Sequence, residues 1–512
     1  MIEYDTLFVD GAQQSPVGAD TITVIGAATG EVIGRTPAAA GADVDIAVAA
    51  ARRNLADGVG WAGWDSHRRA DLLDRIADEV EARGSEIAAL VAQQNGMPIT
   101  TAMAVEVAIP IAVYRYYAEL ARNTVFSEVR PGLLGGSARV DRLPVGVIGA
   151  IIPWNYPNLL TAFKVAPALA AGCAVVIKPS PETVLDTYLF ADAVRAAGVP
   201  PGVISLVPGG PGIGRYLVGH PGVDKVTFTG STTVGREIGA RCGELLRPVT
   251  LELGGKSAAI LLDDVDLAAN AEGLLQATLL NNGQTCVAGT RILAPRSRYA
   301  EVVDFFADLC RSAAIGDPLD PGTVFGPMVT EAHRARVERY IARGVADGAR
   351  LVSGGGRPEH LDRGWFVQPT VFADVDPASV IAREEIFGPV LSVLPYDSVD
   401  EAIALANDSD YGLAGTVWTA DRDSARPVAD AIDSGTFGIN YFMLDPVAPF
   451  GGTKASGLGR ELGPEGLAAC LKAKTTYRQS DTPPGPESPS PAHILRTVPE
   501  GASPCPSPFI RR

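Results

Sequence analysis

Gly-Val-Ile-Gly-Ala-Ile-Ile-Pro-Trp-Asn-Tyr-Pro, residues 146–157, is a continuous apolar run that stops at a proline-rich turn. Such a short run without polar alternation fits a strand buried on both faces. The strand-like run Val145–Ile152 is followed by similar ones at Ala174–Ile177, Ile204–Val207 and Lys225–Phe228, each leading through a turn into an Ala-rich amphipathic stretch. Apolar strands alternating with helices predict a parallel sheet covered on both faces. A second α/β series begins near Ala258 and runs to about Asn440, through Arg291–Ala294, Ala349–Ser353 and Val390–Pro395. Upstream, residues 43–58 and 66–93 are expected to be helical, because Leu72, Leu73, Ile76, Val80 and Ile87 recur at helical spacing.

Two segments break this alternation. Phe126–Arg130, Pro-Gly at 131–132 and Ala138–Arg142 predict an antiparallel hairpin, and Lys474–Arg478 a late strand. A two-stranded ribbon is marginal alone and is expected to dock on something, such as another subunit. Residues 480–512 hold nine prolines among Ser, Gly and Thr, so this stretch is expected to be a disordered tail.

The 512 residues carry 43 Lys+Arg against 59 Asp+Glu, a net charge of −16, with 46% hydrophobic residues. That balance is ordinary for a folded globular chain and disfavours nucleic acid or an anionic membrane surface as partner. The longest apolar run noted, Val165 to Ile177, is interrupted by Pro167 and Gly172 and is too short to cross a bilayer. The N-terminus lacks the pattern of a signal peptide. Six scattered cysteines and five histidines make neither a disulfide framework nor a metal motif, so no metal and a reducing, cytoplasmic setting are expected.

Four polar positions invite chemistry. Cys286 lies in Asn-Asn-Gly-Gln-Thr-Cys-Val-Ala-Gly (281–289), where Gly283 permits a close turn and the following Val-Ala could open a segment whose N–H groups favour a thiolate. A lone cysteine is otherwise a small buried hydrophobe. Glu252, 34 residues earlier, sits between two leucines ahead of Gly-Gly. It reads equally as a salt-bridged carboxylate or as a desolvated general base. Asn155 ends a buried strand, where α/β sheets place ligand groups, and reads as an oxyanion donor or as a loop residue satisfying backbone before Pro157. Phe-Thr-Gly-Ser-Thr-Thr-Val-Gly (228–235) reads as a helix cap or as a pyrophosphate site. GxGxxG is absent: Gly212-Ile-Gly214 has Leu217 where the third glycine would fall.

Taken together, the motifs at 153–157, 171–179, 228–235, 252–257, 283–286, 384–390 and 449–461 resemble those of the NAD(P)-dependent aldehyde dehydrogenase superfamily, in order, over residues 5–478. The resemblance implies an α/β fold of two Rossmann-like doubly wound parallel-sheet domains plus a small β oligomerisation arm. It implies a cofactor-binding domain (1–124 and 145–253), a catalytic domain (254–460), an arm with flanking segment (125–144 and 461–479), and a homodimer or homotetramer. Cys286 would attack the aldehyde carbonyl, Asn155 would hold the oxyanion, Glu252 would activate water against the thioester, and Lys164 and Glu461 would lie on a proton relay behind it.

For NAD, the resemblance implies contacts from Ile152, Pro153, Trp154, Lys178, Gly210, Pro211, Phe228, Thr229, Gly230, Ser231, Val234, Leu253, Gly254, Glu385 and Phe387. The substrate tunnel would be lined by Tyr156, Leu159, Leu160, Phe163, Thr285, Val287, Leu444 and Phe450. None is charged, which implies an apolar aldehyde, aliphatic, terpenoid or aromatic. Asp445, beside Leu444, is the one nearby group that could meet a cation. Pro181 stands where many NAD-preferring members carry a carboxylate, with Glu182 one residue on, so NADP is not excluded. Thr453 and Cys173 are further departures, and neither is given a function. Two competing readings are a CoA-acylating enzyme, which generally lacks the Glu252 carboxylate, and a non-catalytic protein on the same fold.

Overall fold

A computed structural model describes residues 1–56, 60–133 and 135–479. The tail 480–512, Cys505 included, lies outside the described residues.

Two sheets organise the chain. The first is six-stranded, in the order Ile204–Leu206, Ala174–Lys178, Val147–Ile151, Lys225–Thr229, Val249–Glu252, Gly457–Leu458. The first five strands are parallel and the last is an antiparallel edge. Numbered by their sequence, the parallel strands run 3-2-1-4-5, the order of a dinucleotide-binding half-sheet. Every residue of Val147–Ile151, Ala174–Lys178 and Lys225–Thr229 is buried, which is why these strands read as unbroken apolar runs. The order reverses between Val147–Ile151 and Lys225–Thr229, and the chain leaves both strands at their carboxyl ends beside that reversal.

The second sheet has seven strands: Arg350–Ser353, Thr370–Ala373, Val390–Tyr396, Arg291–Pro295, Ala258–Leu261, Gly415–Trp418 and Gly438–Ile439. All neighbours are parallel except the antiparallel first pair. The helix Pro157–Ala171 is buried at all 15 positions, as an apolar helix sandwiched in a core should be. It starts with proline at its first turn and ends at Gly172 in the left-handed region.

The expected helix over 66–93 is two helices, Ser66–Ala82 and Gly84–Asn95, broken at Arg83. Gly84 opens the second helix close to its neighbour, where a β-carbon would meet Val107 Cγ1 at 2.5 Å. The short strands before residue 38, among them the hairpin Leu7–Val9 with Ala12–Gln14, were not legible in the sequence. The helical run Ile99–Asn123, which contains a π-helical turn at Met103–Ala108, is long and apolar enough to cross a membrane by composition. Its Val113, Tyr114, Tyr117, Ala118 and Ala121 instead belong to the largest apolar core.

The described residues separate into two units, Met1–Asn123 with Pro144–Leu471, and Thr124–Leu143 with 472–479. Within the second, Ser127–Pro131 pairs antiparallel with Ser137–Pro144, the middle strand of a three-stranded sheet completed by Leu471–Arg478. Hairpin and late strand thus form as expected.

Candidate active site

A cavity of about 630 Å3 opens where the first sheet reverses its strand order. Eleven of the fifteen expected cofactor residues line it: Ile152, Pro153, Trp154, Lys178, Gly210, Pro211, Phe228, Thr229, Gly230, Ser231 and Val234. Ser231 is the N-cap of the helix Thr232–Glu244, its hydroxyl accepting from Val234 N, so its own proton is free to meet an anion at the helix N-terminus. A β-carbon on Gly230 would strike the Phe228 ring at 2.4 Å, so the turn must be glycine to pass this wall. Lys178 Nζ donates to Pro179 O (2.8 Å) and Gly209 O (2.7 Å), and burial lowers its pKa to about 8. Ser180, Glu182, Arg215 and Arg241 also line the cavity, none of them anticipated as contacts. Glu182 accepts from the Ser180 hydroxyl.

The other four expected cofactor residues lie outside that lining. Glu385 is turned against the Gly-Gly turn after Leu253: its Oε1 accepts from Gly255 N at 3.0 Å, and a β-carbon on Gly254 would meet Oε2 at 2.6 Å. Burial raises Glu385 to about 7. Leu253 N donates to Ser456 O (2.9 Å). Phe387 packs edge-on to Trp154, ring centroids 5.3 Å apart, which ties this group to the cavity wall. His333, lowered by burial to about 4 and so neutral, shares a 2.7 Å hydrogen bond with Phe387 O.

Cys286 follows a loop in which Asn281, Asn282 and Gly283 all take positive φ. Three amides pin it. Asn281 Nδ2 donates to Asn155 O (3.0 Å), Asn282 Nδ2 to Gly96 O (2.8 Å), and Gln284 Oε1 accepts from Val329 N (3.0 Å). Asn155 Nδ2 donates to Gln284 O (3.0 Å), which fixes the amide beside the cysteine loop and leaves its second proton for an oxyanion. The Val-Ala that follows does not open a helix but closes a turn, Ala288 N on Thr285 O. The N–H groups of Cys286 and Val287 in that turn favour the thiolate, as expected, but they do not prevail. Burial, then Glu385 and Glu252, push the thiol up to about 12, and the N–H groups of Cys286 and Val287 offset this only in part.

Glu252 ends the strand Val249–Glu252, 2% exposed, with both carboxylate oxygens buried and lacking a hydrogen bond among the described residues. Burial first, and the Glu461 carboxylate second, raise its pKa well above the usual range, while Lys164 and Arg460 pull it down. Glu252 makes no salt bridge to Lys256, whose own buried ammonium has no hydrogen bond among the described residues. Lys164 and Glu461 form a buried ion pair at 2.8 Å, with Lys164 Nζ also on Thr229 Oγ1 (2.6 Å).

Seven of the eight expected substrate residues belong to or pack against one apolar core, as Cys286 does. Tyr156, Leu159, Leu160, Phe163 and Phe450 belong to one apolar core, against which Cys286, Val287 and Leu444 pack half-buried. Thr285 joins through a 2.6 Å hydrogen bond to Tyr156. An adjoining cavity of about 380 Å3 is lined by Phe437, Tyr441, Phe442, Met443 and Leu444, with Asp445 its one ionisable side chain apart from Tyr441. Asp445 is exposed and accepts from Val447 N (3.1 Å), so it caps its own turn.

One buried carboxylate escaped notice. Glu106, in the π-helical turn, accepts from Asn158 N (2.7 Å) and Leu159 N (3.2 Å), capping the helix that begins just after Asn155. The visible signal was a single acid inside the apolar Ala-Val-Glu-Val-Ala stretch (104–108).

The aldehyde dehydrogenase family model matches residues 14–476. The chain belongs to the aldehyde dehydrogenase family. This aldehyde dehydrogenase is 55% identical over 476 residues to geranial dehydrogenase of Castellaniella defragrans, covering 93% of this chain and 99% of that one. It is 40% identical to the chloroplastic betaine aldehyde dehydrogenase of Amaranthus hypochondriacus, covering 93% and 96%. The structure of Mycobacterium tuberculosis aldehyde dehydrogenase complexed with NAD+ superposes with a TM-score of 0.92 at 47% identity, covering 94% of this chain and 99% of that one. The family is NAD(P)-dependent, and the cavity at the strand reversal, with its glycine turn and capped helix, fits a dinucleotide.

Proposed function

We propose that this aldehyde dehydrogenase oxidises an apolar aldehyde to its carboxylic acid through a thiohemiacetal and then a thioester on Cys286. NAD, when bound, would supply the hydride acceptor. Cys286 Sγ bonds to the carbonyl carbon, and the second Nδ2 proton of Asn155 with the Cys286 N–H holds the oxygen that becomes anionic. Glu252 then takes a proton from the water that attacks the thioester. The observation that carries this reading is Glu252 itself, a buried carboxylate with no hydrogen bond and a raised pKa. It supports hydrolysis rather than transfer to CoA, and acyl-CoA formation when CoA is added would reverse that choice.

The substrate class rests on the eight uncharged side chains expected to line the tunnel, five of them in the apolar core against which Cys286 packs, and on the aromatic, aliphatic cavity that Leu444 and Phe450 share. A buried charged group on the substrate would find no partner there. The geranial dehydrogenase relative, named for a terpenoid aldehyde, points the same way. The test is kcat/KM, followed by NADH absorbance, for geranial, octanal, benzaldehyde, succinate semialdehyde and betaine aldehyde. Preference for either of the last two would refute the apolar assignment. We assign residues 1–124 and 145–253 to cofactor binding, 254–460 to catalysis and the strands of the small unit to a homodimer or homotetramer. Sizing of the protein with Val129 and Tyr477, both exposed there, changed to lysine tests the last point.

A further inference from the structure

The helix Glu331–Ala346 turns one face to the segment 384–388. His333, Arg336, Val337 and Tyr340 stand on that face at positions i, i+3, i+4 and i+7. Tyr340 donates its hydroxyl proton to Glu384 Oε2 (2.7 Å), and Arg336 Nη2 donates to Glu385 O (2.6 Å). Val337 packs against Gly388, where a β-carbon would meet its Cγ2 at 2.6 Å. His333 Nε2 lies 2.7 Å from Phe387 O. A carbonyl only accepts and this imidazole is neutral, so its one ring proton sits on Nε2 and is donated to Phe387.

Phe387 has φ +65°, a left-handed backbone that bulky residues rarely adopt and that persists only where the surroundings hold it. Its ring stands edge-on to those of Trp154 and His333, and Trp154 is a wall of the dinucleotide cavity. Glu385 in turn accepts from Gly255 N, and the Gly255 backbone runs close to the Cys286 carbonyl. The gripped segment therefore lies on the Cys286 side, where a nicotinamide must stand to take hydride from a carbon bonded to the sulfur.

We propose that His333 and Arg336 are positioning residues for the nicotinamide half of the cofactor, holding the carbonyls of Phe387 and Glu385 so that ring and carboxylate are preset before NAD arrives. The inference rests on the reading of Glu385 and Phe387 as cofactor contacts. Neither His333 nor Arg336 lines the cavity, so both act through the segment they grip. Lys178, expected at the adenosine half, shares none of these bonds: its ammonium is held by Pro179 O and Gly209 O.

The experiment compares wild type, His333→Leu, His333→Gln and Arg336→Met by KM for NAD and by inhibition with adenosine monophosphate, which competes for the adenosine half alone. Loss of one hydrogen bond in His333→Leu should raise KM for NAD about ten-fold while the inhibition constant keeps its wild-type value. Arg336→Met should show the same selective rise. His333→Gln, whose amide can donate from nearly the same place, should restore most of the loss. An unchanged KM in His333→Leu or Arg336→Met, an equal rise in both constants, or a glutamine variant no better than leucine would overturn the proposal. A crystal structure of wild type with NAD, independent of any variant, should keep the bond from His333 to Phe387 O, and a broken bond there would also overturn it. If Glu385→Gln leaves KM for NAD unchanged, or the nicotinamide sits away from Glu385 and Phe387, the reading of those two residues fails instead.

Discussion

The backbone of Gly255 passes so close to Cys286 that a β-carbon on Gly255 would stand 2.4 Å from the cysteine carbonyl oxygen. The turn after Glu252 and the loop bearing the nucleophile are thus held in register by the lack of a side chain. Gly255→Ala is expected to fold yet lower kcat by about 10²-fold, because a displacement near 1 Å at a reacting group costs that much. Circular dichroism and steady-state rates check it, and native kcat in a folded variant would contradict the close fit.

Cys286 is expected to be protonated at neutral pH in the cofactor-free enzyme, since burial and two carboxylates lift its thiol to about 12. Alkylation by iodoacetamide, followed by mass spectrometry, should therefore accelerate about ten-fold per pH unit from pH 7 to 10. A plateau by pH 8 would show a thiol that ionises without help. Cys286→Ala should produce no NADH above background.

Glu252→Gln should spare the first turnover and slow later ones by roughly 10²–10³-fold. For wild type, the raised carboxyl pKa means the basic form is populated only as pH climbs past it. The deacylation rate should thus rise with pH until the carboxyl is ionised and flatten above. Rapid-quench measurement of the acyl-enzyme tests both points, and a rate falling as pH rises would contradict the assignment.

Lys178, lowered to about 8, is an ammonium below that pH and loses its proton above it. If it grips the cofactor, KM for NAD should climb as pH passes about 8, while kcat changes little. Lys178→Met should raise KM about ten-fold at pH 7 and abolish the climb. A variant whose KM matches wild type would remove Lys178 from the cofactor site.

The sheets were legible because their strands are buried on both faces and so appear as uninterrupted apolar runs, Val147–Ile151 the clearest. The break at Arg83 was not, because apolar positions keep helical spacing across it, from Val80 to Ile87. At the site, Cys286, Glu252 and Asn155 stood out by residue type, but each kept a bland alternative until the family pattern was considered. Glu106 and the amides of Asn281, Asn282 and Gln284 were not recognised, since their work is to bond distant backbone such as Gly96 O and Val329 N. Arg215 and Arg241 look like ordinary surface helix residues until the cavity is seen.

Glu252 carries a thermal penalty for the whole protein. A carboxyl group sealed from water, with neither oxygen bonded, destabilises the fold relative to an apolar side chain of the same size. Glu252→Met should consequently melt at a higher temperature than wild type while losing turnover, and a lower melting temperature would mean the acid has a hidden partner. Heat tolerance and catalysis then compete for a single position, so lineages of this enzyme adapting to warmth must find their added stability elsewhere in the chain.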